Sequence, residues 1–188
     1  RFPIRKATLL EDPSWAGQPI AARFEIEVRG ELLVLYNVHL PTPRPQLKRF
    51  LNRRIGKQLL SKEERGKRFA DYRQWVNQRL NLARELAKVL AAERQPFIVA
   101  GDFNTPDHGC VYHLIAGEAT DAFAKSGRGW GLTFPGHTRA SADWLAPWLR
   151  LDYFFVGHGW RPIECRPERG RESEHRAIFA RFEPVPKP

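Results

Sequence analysis

The chain has 188 residues, 42% of them hydrophobic and 28% charged, an ordinary balance for one globular domain long enough to bury a core. No apolar run approaches the ~20 residues needed to cross a bilayer, and Cys110 and Cys165 are too few for a zinc cage or a disulfide framework. A formal charge of +10, from 31 Lys and Arg against 21 Asp and Glu, favours polyanionic partners: nucleic acid, anionic lipid headgroups or phosphorylated metabolites.

Arg1-Phe2-Pro3-Ile4 lacks an initiator Met and a signal-peptide pattern, and the sequence holds no Met at all, so it reads as a piece of a longer protein. Two reduced cysteines suit a cytoplasmic location if the chain is soluble as it stands; an upstream segment would allow membrane anchoring. Residues 1–183 are expected to form one domain, 184–188 a tail, and nothing in the sequence points to oligomerisation.

Residues 1–10 read as a strand, followed by a turn-rich loop over 11–19. Ala22, Phe24, Ile26 and Val28 alternate with polar residues, the period-2 pattern of a half-buried strand. After the turn at Arg29-Gly30-Glu31, the apolar run 32–38 predicts a partner strand buried on both faces, which ends at His39-Leu40-Pro41. From Arg44 to Arg68, ten Lys or Arg stand against Glu63 and Glu64, and Leu47, Phe50, Leu51, Ile55, Leu59 and Leu60 recur at helical spacing. The pattern predicts a basic amphipathic helix broken near Gly56 and Gly66. It is either a solvated face or a contact for nucleic acid or an anionic membrane surface.

Over 73–93, Val76, Leu80, Ala83, Leu86, Ala87 and Leu90 form one apolar stripe and predict a long helix. It feeds Phe97-Ile98-Val99-Ala100, a short strand buried on both faces, after which come Gly101-Asp102-Phe103-Asn104. A strand, a helix and a second strand make a βαβ crossover, which would bring His39 and Asp102 to the same sheet edge. Spaced i, i+2 on extended backbone, Asp102 and Asn104 point the same way. A carboxylate beside an amide suits water activation, a hard cation or a phosphoryl oxygen, and equally suits a capped turn.

Further on, 110–115 reads as a short helix, 121–130 as an exposed loop, 131–136 as a brief extended piece, and 137–149 as irregular apart from a possible helical turn carrying Trp144 and Trp148. Residues 151–156 form a strand with Asp152 near its start, 163–166 another, and 177–182 the last. Arg150 is a candidate phosphate contact or a solvated side chain.

Polar residues thus stand at the ends of apolar strands: His39, Asp102, Asn104, Asp152 and the pair Glu174-His175. Burying ionisable groups there is costly unless they serve one another or a ligand. Two histidines, three carboxylates and an amide suit phosphoryl transfer: carboxylates for a divalent cation and for water deprotonation, and an Asp-paired histidine for the phosphate.

The motifs NVHL (37–40), GDFN (101–104), LDYFF (151–155) and SEHR (173–176), in this order over roughly three quarters of the chain, resemble the endonuclease/exonuclease/phosphatase superfamily with its DNase-I-like fold. RFPI at the start and TFP (133–135) resemble family segments of lower specificity. The resemblance implies an α/β sandwich of two mainly antiparallel sheets with outer helices, in which the crossover from His39 to Asp102 need not be a simple parallel unit.

It also implies a divalent-metal-dependent phosphoesterase using Mg²⁺ or Mn²⁺, most simply on phosphodiesters in the manner of a nuclease. A lipid or inositol phosphate phosphatase or phosphodiesterase at a membrane surface, and a non-catalytic polyanion-binding module, are the alternatives. By position, Asp102 orients and deprotonates the attacking water, and Asn104 hydrogen-bonds the phosphate. His175 contacts the scissile phosphate with Asp152 fixing its ring, and His39 is a second phosphate contact. Glu174 and Asp102 hold the metal. Two departures stand out: the family usually has Asp where this chain has Glu174, and the family's N-terminal third, which supplies an Asn and the main metal-binding Glu, has no counterpart here.

Overall fold

A computed structural model describes residues 2–12, 19–45, 54–55, 58–59, 61–136, 147–168 and 173–185. In chain order the elements are β1 (Ile4–Glu11), β2 (Pro19–Val28), β3 (Glu31–His39), β4 (Arg54–Ile55), β5 (Gln58–Leu59), α1 (Lys62–Ala92), β6 (Phe97–Asp102), α2 (Cys110–Ala116), β7 (Thr120–Asp121), α3 (Ala122–Ser126), β8 (Asp152–Val156), β9 (Trp160–Pro167) and β10 (Ile178–Pro184).

Among the described residues, the main sheet has six strands in the order β1-β2-β3-β6-β8-β7. β2 and β3 form the expected hairpin with Val28 opposite Glu31. Its two turn residues, Arg29 and Gly30, both have positive φ, the geometry that matches the twist of the flanking strands. β3 and β6 pair in parallel, Val34 with Phe97 through His39 with Asp102, so the crossover is the simple βαβ unit that the strand–helix–strand order predicts. The remaining pairs in this sheet are antiparallel. A second sheet pairs β9 with β10, and Phe182 of β10 meets Phe154 of β8 edge-on.

Alternation along the strands sorts the two faces. Val34, Tyr36 and Val38 of β3, Phe97 and Val99 of β6, and Tyr153 and Phe155 of β8 are buried in one cluster with Leu82, Ala83, Leu86 and Leu90 of α1. On the opposite face Leu33 and Leu35 are only half-buried and Asn37 is exposed, so the run 32–38 is closed on one face, not both. His39, Asp102 and Asp152 lie on this second face, in one row across three strands.

α1 departs furthest from expectation. Ser61 caps it: its side chain accepts from the Glu64 N–H and its own N–H donates to the Glu64 carboxylate, two otherwise orphaned donors satisfied together. The helix runs 31 residues, straight through Gly66. Its buried residues begin only at Trp75, then Arg79, Leu82, Ala83, Leu86, Ala87 and Leu90; the stripe keeps the predicted Ala83, Leu86, Ala87 and Leu90, leaves Val76 and Leu80 half-buried, and includes an arginine. Within the expected basic helix, Arg54–Ile55 and Gln58–Leu59 form the two-residue strands β4 and β5 and residues 62–68 belong to α1; residues 46–53, 56–57 and 60 lie outside the described part. The predicted loop at 121–130 contains α3, whose first N–H groups donate to the Asp121 side chain. The proposed turn carrying Trp144 lies outside the described residues, and the last strand extends to Pro184, into the expected tail. No helix among the described residues is long and apolar enough to cross a membrane.

Candidate active site

Gly101 has φ +149° and passes so close to β3 that a Cβ there would overlap the Val38 carbonyl. The glycine lets β6 lie tight against β3, and Asp102 then falls beside His39 in register. After Asp102 the chain does not stay extended. Asn104 takes a left-handed conformation, φ +48°, which Asn tolerates better than most residues. Its backbone N–H donates to Asp102 Oδ1 at 2.8 Å, and its Nδ2 donates to Asp102 Oδ2 at 2.9 Å and to the Leu40 carbonyl at 3.0 Å. Asn104 does stand beside Asp102, but both of its amide protons are used within the protein and the residue is buried. The N–H contact to phosphate that the resemblance assigns to it has no free proton.

The other half comes from β8 and the approach to β10. His175 Nδ1 lies 2.9 Å from Asp152 Oδ2, joining residues 23 positions apart. Thr133, fully buried, links them: its Oγ1 accepts from the Leu151 and Asp152 N–H groups, and its carbonyl accepts from Arg176 N–H at 2.8 Å. The Phe134 ring lies 5.0 Å from the imidazole. Nε2 of His175 and Nε2 of His39 each stand 3.9 Å from Asp102 Oδ2, too far for a direct hydrogen bond and close enough for one oxygen atom to bridge ring and carboxylate.

Burial differs among the four. The His39 side chain is 78% exposed, whereas those of Asp102, Asp152 and His175 are 20%, 16% and 24% exposed. Burial pushes the Asp102 carboxyl above its usual range; the Asn104 N–H opposes this, Asp152 adds to it, and the two histidines oppose it. The hydrogen bond to Asp152 raises His175 above the ordinary imidazole value, against burial, which lowers it. The cluster therefore holds one proton-accepting carboxylate beside one readily protonated ring.

Ligand atoms of Asp102, Asp152 and His175 all lie within 4.8 Å of one another. Two carboxylates are the hard oxygen donors that a small divalent cation prefers. Glu174 is not part of this group: its carboxylate accepts from Arg44 Nη1 at 3.0 Å, and Arg44 lies over the Phe134 ring.

The chain matches the family model described as the Endonuclease/Exonuclease/phosphatase family over residues 1–175. It belongs to that family. The endonuclease/exonuclease/phosphatase members are phosphoric ester hydrolases, and the α/β architecture with a large and a small sheet is their DNase-I-like fold. An endonuclease/exonuclease/phosphatase from Bacteroides vulgatus is similar over 98% of this chain and 67% of its own, at 20% identity and TM-score 0.60. A mannosyl-6-phosphatase from Bacteroides thetaiotaomicron is similar over 97% and 67%, at 16% identity and TM-score 0.58. A 3′ phosphatase from Neisseria, bound to a product DNA hairpin, is similar over 97% and 72%, at 14% identity and TM-score 0.59. The chain thus spans about two thirds of the length of these structures. No curated protein matches it.

Within the family frame, two arginines take places that sequence reasoning did not foresee. Arg150 does not sit in solvent: it is buried, with Nη2 2.8 Å from Asp121 and 3.2 Å from Asp107, and packs over the Tyr153 ring. Arg79, on the buried stripe of α1, reaches the turn after Asp102. Its position four residues after Trp75 and three before Leu82 was the available signal, a charge on a stripe that otherwise packs the core.

Proposed function

We propose that this chain carries the catalytic centre of a divalent-cation-assisted phosphoesterase acting on phosphodiesters. The supporting observation is the row His39, Asp102, Asp152 across three strand ends, with His175 hydrogen-bonded to Asp152 and facing Asp102. A pure polyanion binder has no need of a carboxylate-oriented imidazole opposite a second, buried carboxylate.

In this reading Asp102, whose Oδ2 stands 3.9 Å from Nε2 of both His39 and His175, accepts the proton of the attacking water. Asn104 holds both Asp102 oxygens and fixes their direction. Asp152 sets the ring orientation of His175 and favours its cationic form, whose Nε2 side contacts the phosphate as charge builds on it. His39, exposed beside Asp102, is the second phosphate contact. Asp102 and Asp152 would hold Mg²⁺ or Mn²⁺, which supplies positive charge against the phosphate oxygens.

Hydrolysis of bis(p-nitrophenyl) phosphate and of p-nitrophenyl phosphate, each with Mg²⁺, Mn²⁺ or chelator, tests the reading. Expected are a cation-dependent rate on the diester above that on the monoester, and a fall of at least about a hundredfold in kcat for Asp102→Asn. Preference for the monoester would transfer the proposal to a phosphatase. Wild-type rates in Asp102→Asn would end it.

A further inference from the structure

We propose that Arg79 is a positioning residue for the site, its guanidinium holding the left-handed turn that presents the Asp102 carboxylate. The inference rests on the reading of Asp102 given above and adds a residue that touches no substrate. Arg79 is 9% exposed, and among the described residues it forms no ion pair with a carboxylate. Instead its Nη2 donates to two successive carbonyls, Phe103 at 2.7 Å and Asn104 at 2.5 Å, while Nε is buried without an acceptor. Burial pulls its pKa down to about 10, and the Asp102 charge opposes that fall. A cation withdrawn from water and spent on two backbone oxygens is costly unless the geometry it fixes matters.

The geometry concerned is narrow. Two carbonyls that point the same way into the protein belong to the segment in which Asn104 turns to φ +48°. That turn brings the Asn104 N–H and Nδ2 back onto the two Asp102 oxygens. The Leu40 N–H donates to the Asp102 carbonyl at 3.0 Å and the Leu40 carbonyl accepts from Asn104, so the turn is also tied to the segment following His39. Arg79 is the member of this set that comes from α1, and it is seated against Trp75, 5.6 Å below the guanidinium. The crossover helix therefore delivers both the packing that seats the sheet and the donor that sets the turn.

Without Arg79 the Phe103 and Asn104 carbonyls lose their buried donor, and Asn104 is free to leave the left-handed conformation. The Asp102 carboxylate would then lose its two fixed donors, while His39, Asp152 and His175, held by other strands, stay in place. Binding is expected to survive while the chemical step slows.

The test compares Arg79→Met, Arg79→Lys and, as a stability control, Glu93→Gln at the far end of α1, in the full protein with bis(p-nitrophenyl) phosphate and Mg²⁺. Expected for Arg79→Met is a fall in kcat of at least tenfold with KM within about twofold. Arg79→Lys, whose ammonium still donates to a carbonyl, should recover part of that loss, and Glu93→Gln should keep wild-type kcat below its own melting temperature. If Arg79→Met does not fold, Arg79→Lys alone still reads the split between kcat and KM. Should the wild type hydrolyse neither ester, the reading of function fails, and the positioning is then read from the Asn104 side-chain amide resonances. Those resonances should shift and exchange faster in the Arg79 variants and not in Glu93→Gln. Wild-type kcat in Arg79→Met, or unmoved Asn104 resonances, would overturn the proposal.

Discussion

Asn104 donates one amide proton to Leu40 and one to Asp102, which ties its side chain to the Asp102 carboxylate. The i, i+2 spacing made the meeting of Asp102 and Asn104 legible, but not its form, because a left-handed residue has no mark in the sequence beyond being Asn. The same holds for Glu174. Its charge was readable as a metal ligand, whereas its partner Arg44 stands 130 positions away and no local pattern announces it. Asp152 and His175 were legible as a pair only through the motif resemblance, and the hydrogen bond between them makes a quantitative expectation possible. His175→Ala should cost at least about a hundredfold in kcat. Adding Asp152→Ala should cost little more, since groups acting as a unit are not additive. Steady-state kinetics of the two single variants and the double variant measure this directly, and full additivity would mean that Asp152 acts independently of the ring.

Elements whose apolar runs stop at a polar residue were the readable ones. β3 ends at His39, β6 at Asp102, and β8 begins at Asp152, so each apolar run is bounded by an ionisable residue that is visible in the sequence. α1 was readable only in its C-terminal two thirds, where packing on the sheet imposes a stripe; its first thirteen residues bury nothing, so their spacing carries no core signal. Where α1 ends, Glu93 ties it to the sheet. One carboxylate oxygen accepts from Tyr36 Oη at 2.8 Å and Arg23 Nε at 2.9 Å, the other from the Arg94 and Gln95 N–H groups. Burial alone would raise the Glu93 carboxyl. The Gln95 N–H, Arg23 and Tyr36 together outweigh it and hold the group below its usual value. A depressed folded-state pKa means that the carboxylate stabilises the fold above the unfolded value and loses that contribution as pH falls through the folded one. Glu93→Gln should therefore melt lower than wild type near neutral pH, and the gap should close as pH drops below about 4. Thermal melts of both proteins across pH 3–7 check the sign; a gap that widens on acidification would contradict the ion-pair account.

For the molecule as a whole, the excess of positive charge is gathered largely between Arg44 and Arg68, inside the connection that leaves β3 and returns as α1. If this segment meets polyanions, neutralising Arg49, Arg53, Arg54 and Lys57 should flatten the salt dependence of nucleic-acid binding, by roughly 0.9 in slope for each phosphate no longer neutralised. Equal flattening for anionic vesicles would widen the partner class, and unchanged slopes for both would return the segment to a solvated face. Its placement within the β3–α1–β6 crossover has a consequence for how such a chain can diversify. The parallel register of His39 and Asp102 is fixed by Gly101 and by strand pairing, not by the length of chain looping between them. The length and charge of this connection can therefore change from one sequence to the next without altering the strand pairing that sets His39 beside Asp102.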